Sequence, residues 1–425
     1  MTVAAVALVL LALLGMPLFA AIGAAALLGF HAAEVDLSVA AIEFYRLAEM
    51  PTLLAIPLFT FAGYLLSESS APVRLVALTR ALLGWLPGGL ALVALAACAF
   101  FTAFTGASGM TIVAIGAFLY PALTKASYPQ PYSLGLVTSS GSLGLLFAPS
   151  LPLILFGFVA GQLNTTPAVT VQDLFLAGLL PGALMILMLS VHAMWIGRHL
   201  PKAAAAFDAS EVWAAVKDAK WELPLPFIVL GGIYSGQFAA SEAAAITTLY
   251  VLIVTVLIKR EIRFGQLPEL MAEAMRLVGA ILIILGAATA LSNWMVDQEV
   301  PNKLFEFSRT YVHSAGMFLL LLNAVLLLVG MFMDIFSAIV ILTPLLVPVA
   351  VAYGIHPVHF GIVMLANLQI GYFMPPAGMD LFIAAYRFKT GILTLTKACA
   401  PFFLIVGLAV LIITWWPWLS LVFIT

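Results

Sequence analysis

Two long apolar stretches of this chain are interrupted by residues that do not stay in a helix. Ser139 to Pro152 reads Ser-Ser-Gly-Ser-Leu-Gly-Leu-Leu-Phe-Ala-Pro-Ser-Leu-Pro, and Asn367 to Met379 reads Asn-Leu-Gln-Ile-Gly-Tyr-Phe-Met-Pro-Pro-Ala-Gly-Met. Proline removes a helical donor, and each break frees backbone carbonyls from intrahelical pairing. At bilayer depth such backbone is tolerated only where protein or a water-filled cavity satisfies it. Two breaks in corresponding places therefore point to an ion and substrate site.

The surroundings require a membrane. Of the 425 residues 64% are hydrophobic and 8% charged, with a mean hydropathy of +1.17, too much apolar surface for a soluble domain to bury. The expected class is an all-α polytopic membrane protein. Residues 3–30 read as a retained first helix, because no basic residue precedes them and no small-residue cleavage site leads into a polar chain. Cys98 and Cys399 lie in apolar runs and suggest no disulfide framework. A net charge of −2 without a clustered basic face argues against nucleic acid.

The order of segments divides the chain. Residues 1–87 read as scaffold helices with an acidic connection (Glu34, Asp36, Glu43, Glu49) and an amphipathic arm carrying Arg74 and Arg80. Residues 88–163 hold an apolar hairpin and the first broken helix. The hairpin's arms, about fifteen residues each around Thr105 to Gly109, fall short of the ~20 needed to cross, which suggests re-entrance. Residues 164–300 connect the halves through a polar linker at 198–222. A second amphipathic arm follows at 301–314, then a second hairpin bent at Gly330 to Asp334 and the second broken helix, together 315–385. The closing helix, 386–425, ends in Trp415, Trp416 and Trp418, an interfacial anchor.

Placing the N-terminus in the cytoplasm leaves only Arg46, Lys303 and Arg309 of the 17 basic residues outside, a strong positive-inside bias. The same topology makes the hairpins enter from opposite faces, so the halves are inverted repeats. A shift of 227 positions lays Pro121 on Pro348, Gly144 on Gly371 and Pro149 on Pro376. A shift of 229 lays Arg74 on Lys303 and Arg80 on Arg309.

On these residues the chain resembles the large membrane subunit of the tripartite ATP-independent periplasmic (TRAP) transporters. The likeness is carried by Gly106 to Gly109, Ile115-Gly116, Pro121, Gly141 to Gly157, Gly236 to Ala243, and Asn367 through Gly378. It implies an elevator-type secondary transporter in the bacterial cytoplasmic membrane, importing an organic acid with sodium. A periplasmic substrate-binding protein would deliver the cargo, and a small four-helix membrane subunit would be a separate chain. No cofactor is expected beyond sodium as coupling ion. The chain departs from the family pattern at Met374, where a hydroxyl residue is usual, at Gln369, where an acid is usual, and at Ala148, where the pattern has a second proline. Coordination at Met374 would then come from its carbonyl.

Sodium takes roughly five or six oxygens, which a hairpin tip facing an unwound helix can supply from carbonyls and small hydroxyls. One ion is assigned to Gly106, Ser108, Ser140, Gly141 and Gly144, and the other to Gly330, Gly371, Met374 and Ala377; the resemblance favours Ser108 and the second set. Ser139, Ser150, Asp334, Asn367 and Pro375 beside them are the candidates for substrate. Small residues also let membrane helices pack closely, so each glycine has a purely structural alternative. Asp334 reads equally as a functional intramembrane acid or a helix cap. Glu242 reads as a cap, and His356 with His359 as a surface pair lacking a third metal ligand. Phe100 to Phe104 reads as a packing or lipid face.

Other function classes have less support. An intramembrane enzyme would need a His-Glu-x-x-His, paired catalytic aspartates or a Gly-x-Ser-x-Gly elbow, and none is present. A phosphate-binding Gly-x-x-x-x-Gly-Lys loop for an ATP-driven pump is also missing. Hairpins entering from opposite faces would seal a channel rather than line it. A stand-alone anion transporter of the same architecture remains the alternative.

Overall fold

The computed structural model describes residues 7, 8, 10, 11, 14–163, 165–200, 207–235 and 237–424, and the regular elements among them are all helical. The first half runs through α1 (Leu18–Ala32), α2 (Ser38–Ala48), α3 (Ala55–Glu68) and α4 (Ala71–Leu83). A hairpin follows, α5 (Gly89–Thr105) and α6 (Ser108–Ala114), continued by α7 (Gly116–Lys125). The first broken helix is α8 (Gln130–Ser140), a tight turn at Leu143–Leu146, and α9 (Leu151–Gly161). Then come α10 (Val171–Ala177), α11 (Leu179–Gly197), α12 (Ala209–Asp218), α13 (Pro224–Tyr234) and α14 (Ala240–Leu252). The second half holds α15 (Leu267–Asp297), α16 (Val300–Tyr311), the hairpin α17 (Ala315–Phe332) with α18 (Ile335–Ala352), and the second broken helix α19 (Pro357–Gly371) with α20 (Met379–Phe388). The chain closes with α21 (Ile392–Trp415) and α22 (Trp418–Leu421).

Among the described residues seven helices are long and apolar enough to cross a membrane, eight if the pair bent by 40° around Leu146 to Leu151 is one span. The arms of the second hairpin are 18 residues each, about 27 Å at 1.5 Å per residue and close to a full crossing. Of the expected first span, Leu18–Ala32 forms a helix and residues 7, 8, 10 and 11 are helical as well; residues 1–6, 9, 12 and 13 of that region, and Gly236 further on, lie outside the described residues. The acidic connection after the first span is largely helical: α2 follows Asp36, whose side chain accepts a hydrogen bond from the Ser38 N–H at 2.8 Å.

Local chemistry fixes many boundaries. Proline stands in the first turn of α4, α8, α9, α13, α15, α16 and α19, where its missing N–H costs nothing. Gly106 ends α5 in the left-handed region (φ +65°), a conformation that turns the chain into α6 and that a side chain resists. Glu242 caps α14 by accepting the Ala239 N–H at 2.9 Å.

Packing sorts the helices into two groups. α1, α2, α3 and α14 pack with or beside α15 and form a frame, while both hairpins, both broken helices and α21 form the interior. Within that interior the halves interlock. The second limb of each broken helix packs on the returning arm of the other half's hairpin, α9 on α18 and α20 on α6. A shift of 227 exchanges these two junctions, as the inverted repeat requires. Pro149 and Pro376, which the shift superposes, each follow a cis peptide bond.

The polar linker is anchored rather than free. Arg74 of α4 is buried, its Nε donating to Glu222 at 2.8 Å, and its guanidinium also pairs with Glu261 beyond α14. Burial pushes the Glu261 carboxyl up, but hydrogen bonds from Arg74 and from the Ser70 N–H outweigh it and hold the group below the usual carboxylate range. The helix α12 lies inside the linker segment and packs on α4.

Candidate functional site

Each break is held by close backbone approach. Around the first, the Thr102 hydroxyl donates to the Gly141 carbonyl at 2.7 Å and lies 2.6 Å from the Thr111 hydroxyl. A Cβ on Gly141 would stand 3.2 Å from the Ser108 carbonyl, and one on Gly144 would stand 2.6 Å from Thr102 Cβ. The break therefore sits against the hairpin: Gly141 approaches Ser108, Gly144 approaches Thr102, and Gly106 lies against Leu151 of α9. The hydroxyls of Ser139 and Ser140 turn back onto the Leu136 and Val137 carbonyls, each at 3.3 Å. Ser150 is fully buried, and its hydroxyl has no hydrogen-bond partner.

The second cluster is held in the same way. A Cβ on Gly371 would lie 2.6 Å from Gly330 Cα, so these two glycines mark the closest approach of α17 and α19. The unwound segment from Tyr372 to Gly378 is folded by its own backbone: the Gly378 N–H donates to the Met374 carbonyl at 3.1 Å, and the Asp380 N–H donates to the Tyr372 carbonyl at 2.9 Å. The Tyr372 hydroxyl accepts the Ile335 N–H at 2.6 Å, tying this segment to the second hairpin's bend. Met374 and Ala377 are half-buried and Pro375 is exposed. Asp334 is the N-cap of α18, accepting the Ser337 N–H at 2.9 Å and bonding its hydroxyl. Asn367 is buried and donates to Asn323 at 2.6 Å and to the Val363 carbonyl at 2.8 Å, leaving its own Oδ1 unpartnered.

Two cavities, each of about 470 Å³, lie at opposite ends of α3 and α15, one at each junction between the halves. The first is bounded by α2, α9, α15 and α18 and is polar, with Glu43, Arg46, Gln162 and Asn293 on its walls. The second is bounded by the first hairpin's tip, the bend of the second, and α3, α15 and α20, with Ser108, Tyr372 and Met379 on its walls. Among the described residues Arg46 is the one basic residue on either wall; it pairs with Glu43 at 3.0 Å.

Sequence reasoning missed one residue and misplaced another. Asp380 is fully buried and accepts a hydrogen bond from the Ser108 hydroxyl at 2.7 Å, joining the first hairpin's tip to the second broken helix. Its signal in the sequence is an acid directly after Pro-Pro-Ala-Gly-Met, at the start of a helix. The surface pair of histidines is corrected as well. His359 is buried, with Nδ1 2.7 Å from the Ser420 hydroxyl, because α22 and the end of α21 fold back over α19; His356 is the N-cap of that helix. Among the described residues no group of three or more His, Cys, Asp or Glu side chains could hold a metal. Phe101 and Phe104 are buried, so that cluster is packing.

Interlocked hairpins and broken helices inside a frame of spanning helices define a multi-pass membrane protein of the secondary-transporter class. Residues 5–419 match the model of the tripartite ATP-independent periplasmic transporter family, DctM component. The chain belongs to that family, the large permease subunits of TRAP transporters, and is a transporter subunit rather than an enzyme. It is 32% identical to the C4-dicarboxylate TRAP transporter large permease protein DctM of Rhodobacter capsulatus, over 97% of this chain and 96% of that protein. It is 35% identical to the isethionate TRAP transporter permease protein DctMQ of Oleidesulfovibrio alaskensis, over 94% of this chain and 62% of that one. In fold it is similar to the crystal structure of the Alcanivorax borkumensis YdaH transporter, with a TM-score of 0.58 at 16% identity, covering 89% of this chain and 87% of that chain.

Proposed function

We propose that this chain imports an organic acid across the bacterial inner membrane, driven by sodium, as the moving permease of a three-part system. Its partners are a small membrane subunit and a periplasmic substrate-binding protein that delivers the cargo. Relatives named for C4-dicarboxylates and for isethionate support an organic anion as cargo. The observation that carries the reading is the pair of cavities at opposite ends of α3 and α15, each beside a junction of hairpin and broken helix. An interior that slides against α3 and α15 would expose its site first to one cavity and then to the other, which is elevator-type alternating access. With the N-terminus cytoplasmic, the cavity bearing the Arg46–Glu43 pair faces outward.

In this mechanism Gly106, Ser108, Ser140, Gly141 and Gly144 hold one sodium ion, and Gly330, Gly371, Met374 and Ala377 the other, mainly through carbonyls. Ser139, Ser150, Asp334, Asn367 and Pro375 border the substrate, the unpartnered Ser150 hydroxyl and Asn367 Oδ1 being free for it. Uptake by proteoliposomes tests the proposal: it should require external sodium, the small membrane subunit and loaded binding protein. Full transport of free substrate by this chain alone, unaffected when potassium replaces sodium, refutes it.

A further inference from the structure

We propose that Asp380 is the charged ligand of an additional sodium site, located where the tip of the first hairpin meets the second broken helix. The inference rests on the sodium-coupled reading above and goes beyond the two carbonyl-lined breaks. Asp380 is fully buried, one oxygen is bonded by the Ser108 hydroxyl, and the other, Oδ2, has no hydrogen-bond partner. Among the described residues no Lys, Arg or His forms an ion pair with it. The first turn of α20 favours negative charge there but supplies no donor to Oδ2. A buried carboxylate in that condition calls for a cation.

The repeat provides an internal control. The shift of 227 that superposes the two junctions places Ile335 at the position of Ser108 and Leu153 at that of Asp380. Both are buried and apolar. The fold thus builds the same junction without any polar pair, so the carboxylate is not there to hold the helices together.

Further oxygens and a route of access are present. The Tyr372 and Met374 carbonyls, each accepting one backbone N–H and keeping a second lone pair, crowd the turn just ahead of Asp380, where a Cβ on Gly378 would stand 2.4 Å from the Tyr372 oxygen and 2.7 Å from the Met374 oxygen. Ser108, Tyr372 and Met379, which flank the carboxylate, all line the second cavity, the side from which an ion would approach. The Ser108 hydroxyl serves this junction while its carbonyl faces Gly141, which divides the residue between the two sites.

The test is equilibrium binding of radioactive sodium to the full chain purified with its small membrane subunit. Asp380→Asn keeps the size and the Ser108 hydrogen bond while removing the charge. It should bind one sodium fewer per chain, or bind one at least tenfold more weakly, with its elution profile unchanged. Ser108→Ala should weaken the same ion to a lesser extent. Unchanged count and affinity in Asp380→Asn overturn this site and leave sodium coupling standing, whereas no sodium bound by the unmodified protein overturns both readings. Should Asp380→Asn fail to insert, Ser108→Ala decides: wild-type affinity for every ion overturns the site.

Discussion

Replacing Gly371 by alanine tests the backbone-to-backbone contact at the second cluster of the candidate site. The added Cβ would lie 2.6 Å from Gly330 Cα and 2.8 Å from the Gly330 carbonyl oxygen. Non-bonded carbons rest about 3.5 to 4.0 Å apart, so α17 and α19 must separate by roughly 1 Å. The atoms in the way are backbone, and no flexible side chain can yield instead. Overpacking of this kind costs about 1 to 3 kcal/mol. The same displacement opens the second ion site, whose proposed ligands Gly330 and Gly371 are the two residues forced apart. Gly407→Ala is the control: it lies in α21 with nothing within 4 Å of the new Cβ, and should be neutral or slightly stabilising. The assay pairs the midpoint of thermal unfolding in detergent with sodium affinity from initial uptake rates. Gly371→Ala should lower both, and Gly371→Val should abolish uptake in folded, inserted protein. If Gly371→Ala matched Gly407→Ala in midpoint and sodium affinity, the second ion would have to be placed elsewhere.

Driving force gives a second prediction: moving one positive charge inward gains about 2.3 kcal/mol per 100 mV, so coupling to two or more sodium ions makes an inside-negative potential accelerate uptake of a monoanion. Initial rates at fixed sodium across imposed potassium diffusion potentials check this, and no response with a confirmed monoanion would leave room for only one ion. A third concerns the frame: Arg74→Met leaves Glu222 and Glu261 without their buried partner and should destabilise the protein by about 3 to 5 kcal/mol, read as a lower unfolding midpoint. The fourth follows from pH. Because Glu261 is held below the ordinary glutamate value of 4.5 when folded, its contribution is complete above that value and is lost as pH falls through the lower, folded one. Stability should therefore drop on acidification below about 4.5, and Arg74→Met should flatten that part of the profile.

The sequence alone determined the class and the position of both breaks. These follow from local chemistry: apolar runs of spanning length, and Gly and Pro, which interrupt a helix whatever surrounds them. It also put Ser108 beside Gly141, since a hairpin and the helix after it are neighbours in the chain. Tertiary structure decided which polar groups are buried and with whom. Asp334 and Asp380 each begin a helix just after a break, and no local pattern separates them. Yet one is satisfied by its own helix and the other is sealed against Ser108, 272 positions away. His359 was likewise legible as a helix residue but not as a buried one, because its cover comes from α22 at the far end of the chain. Burial is a property of the packed interior, and in a chain that is 64% hydrophobic the pattern of apolar residues no longer tells an inward face from a lipid-facing one.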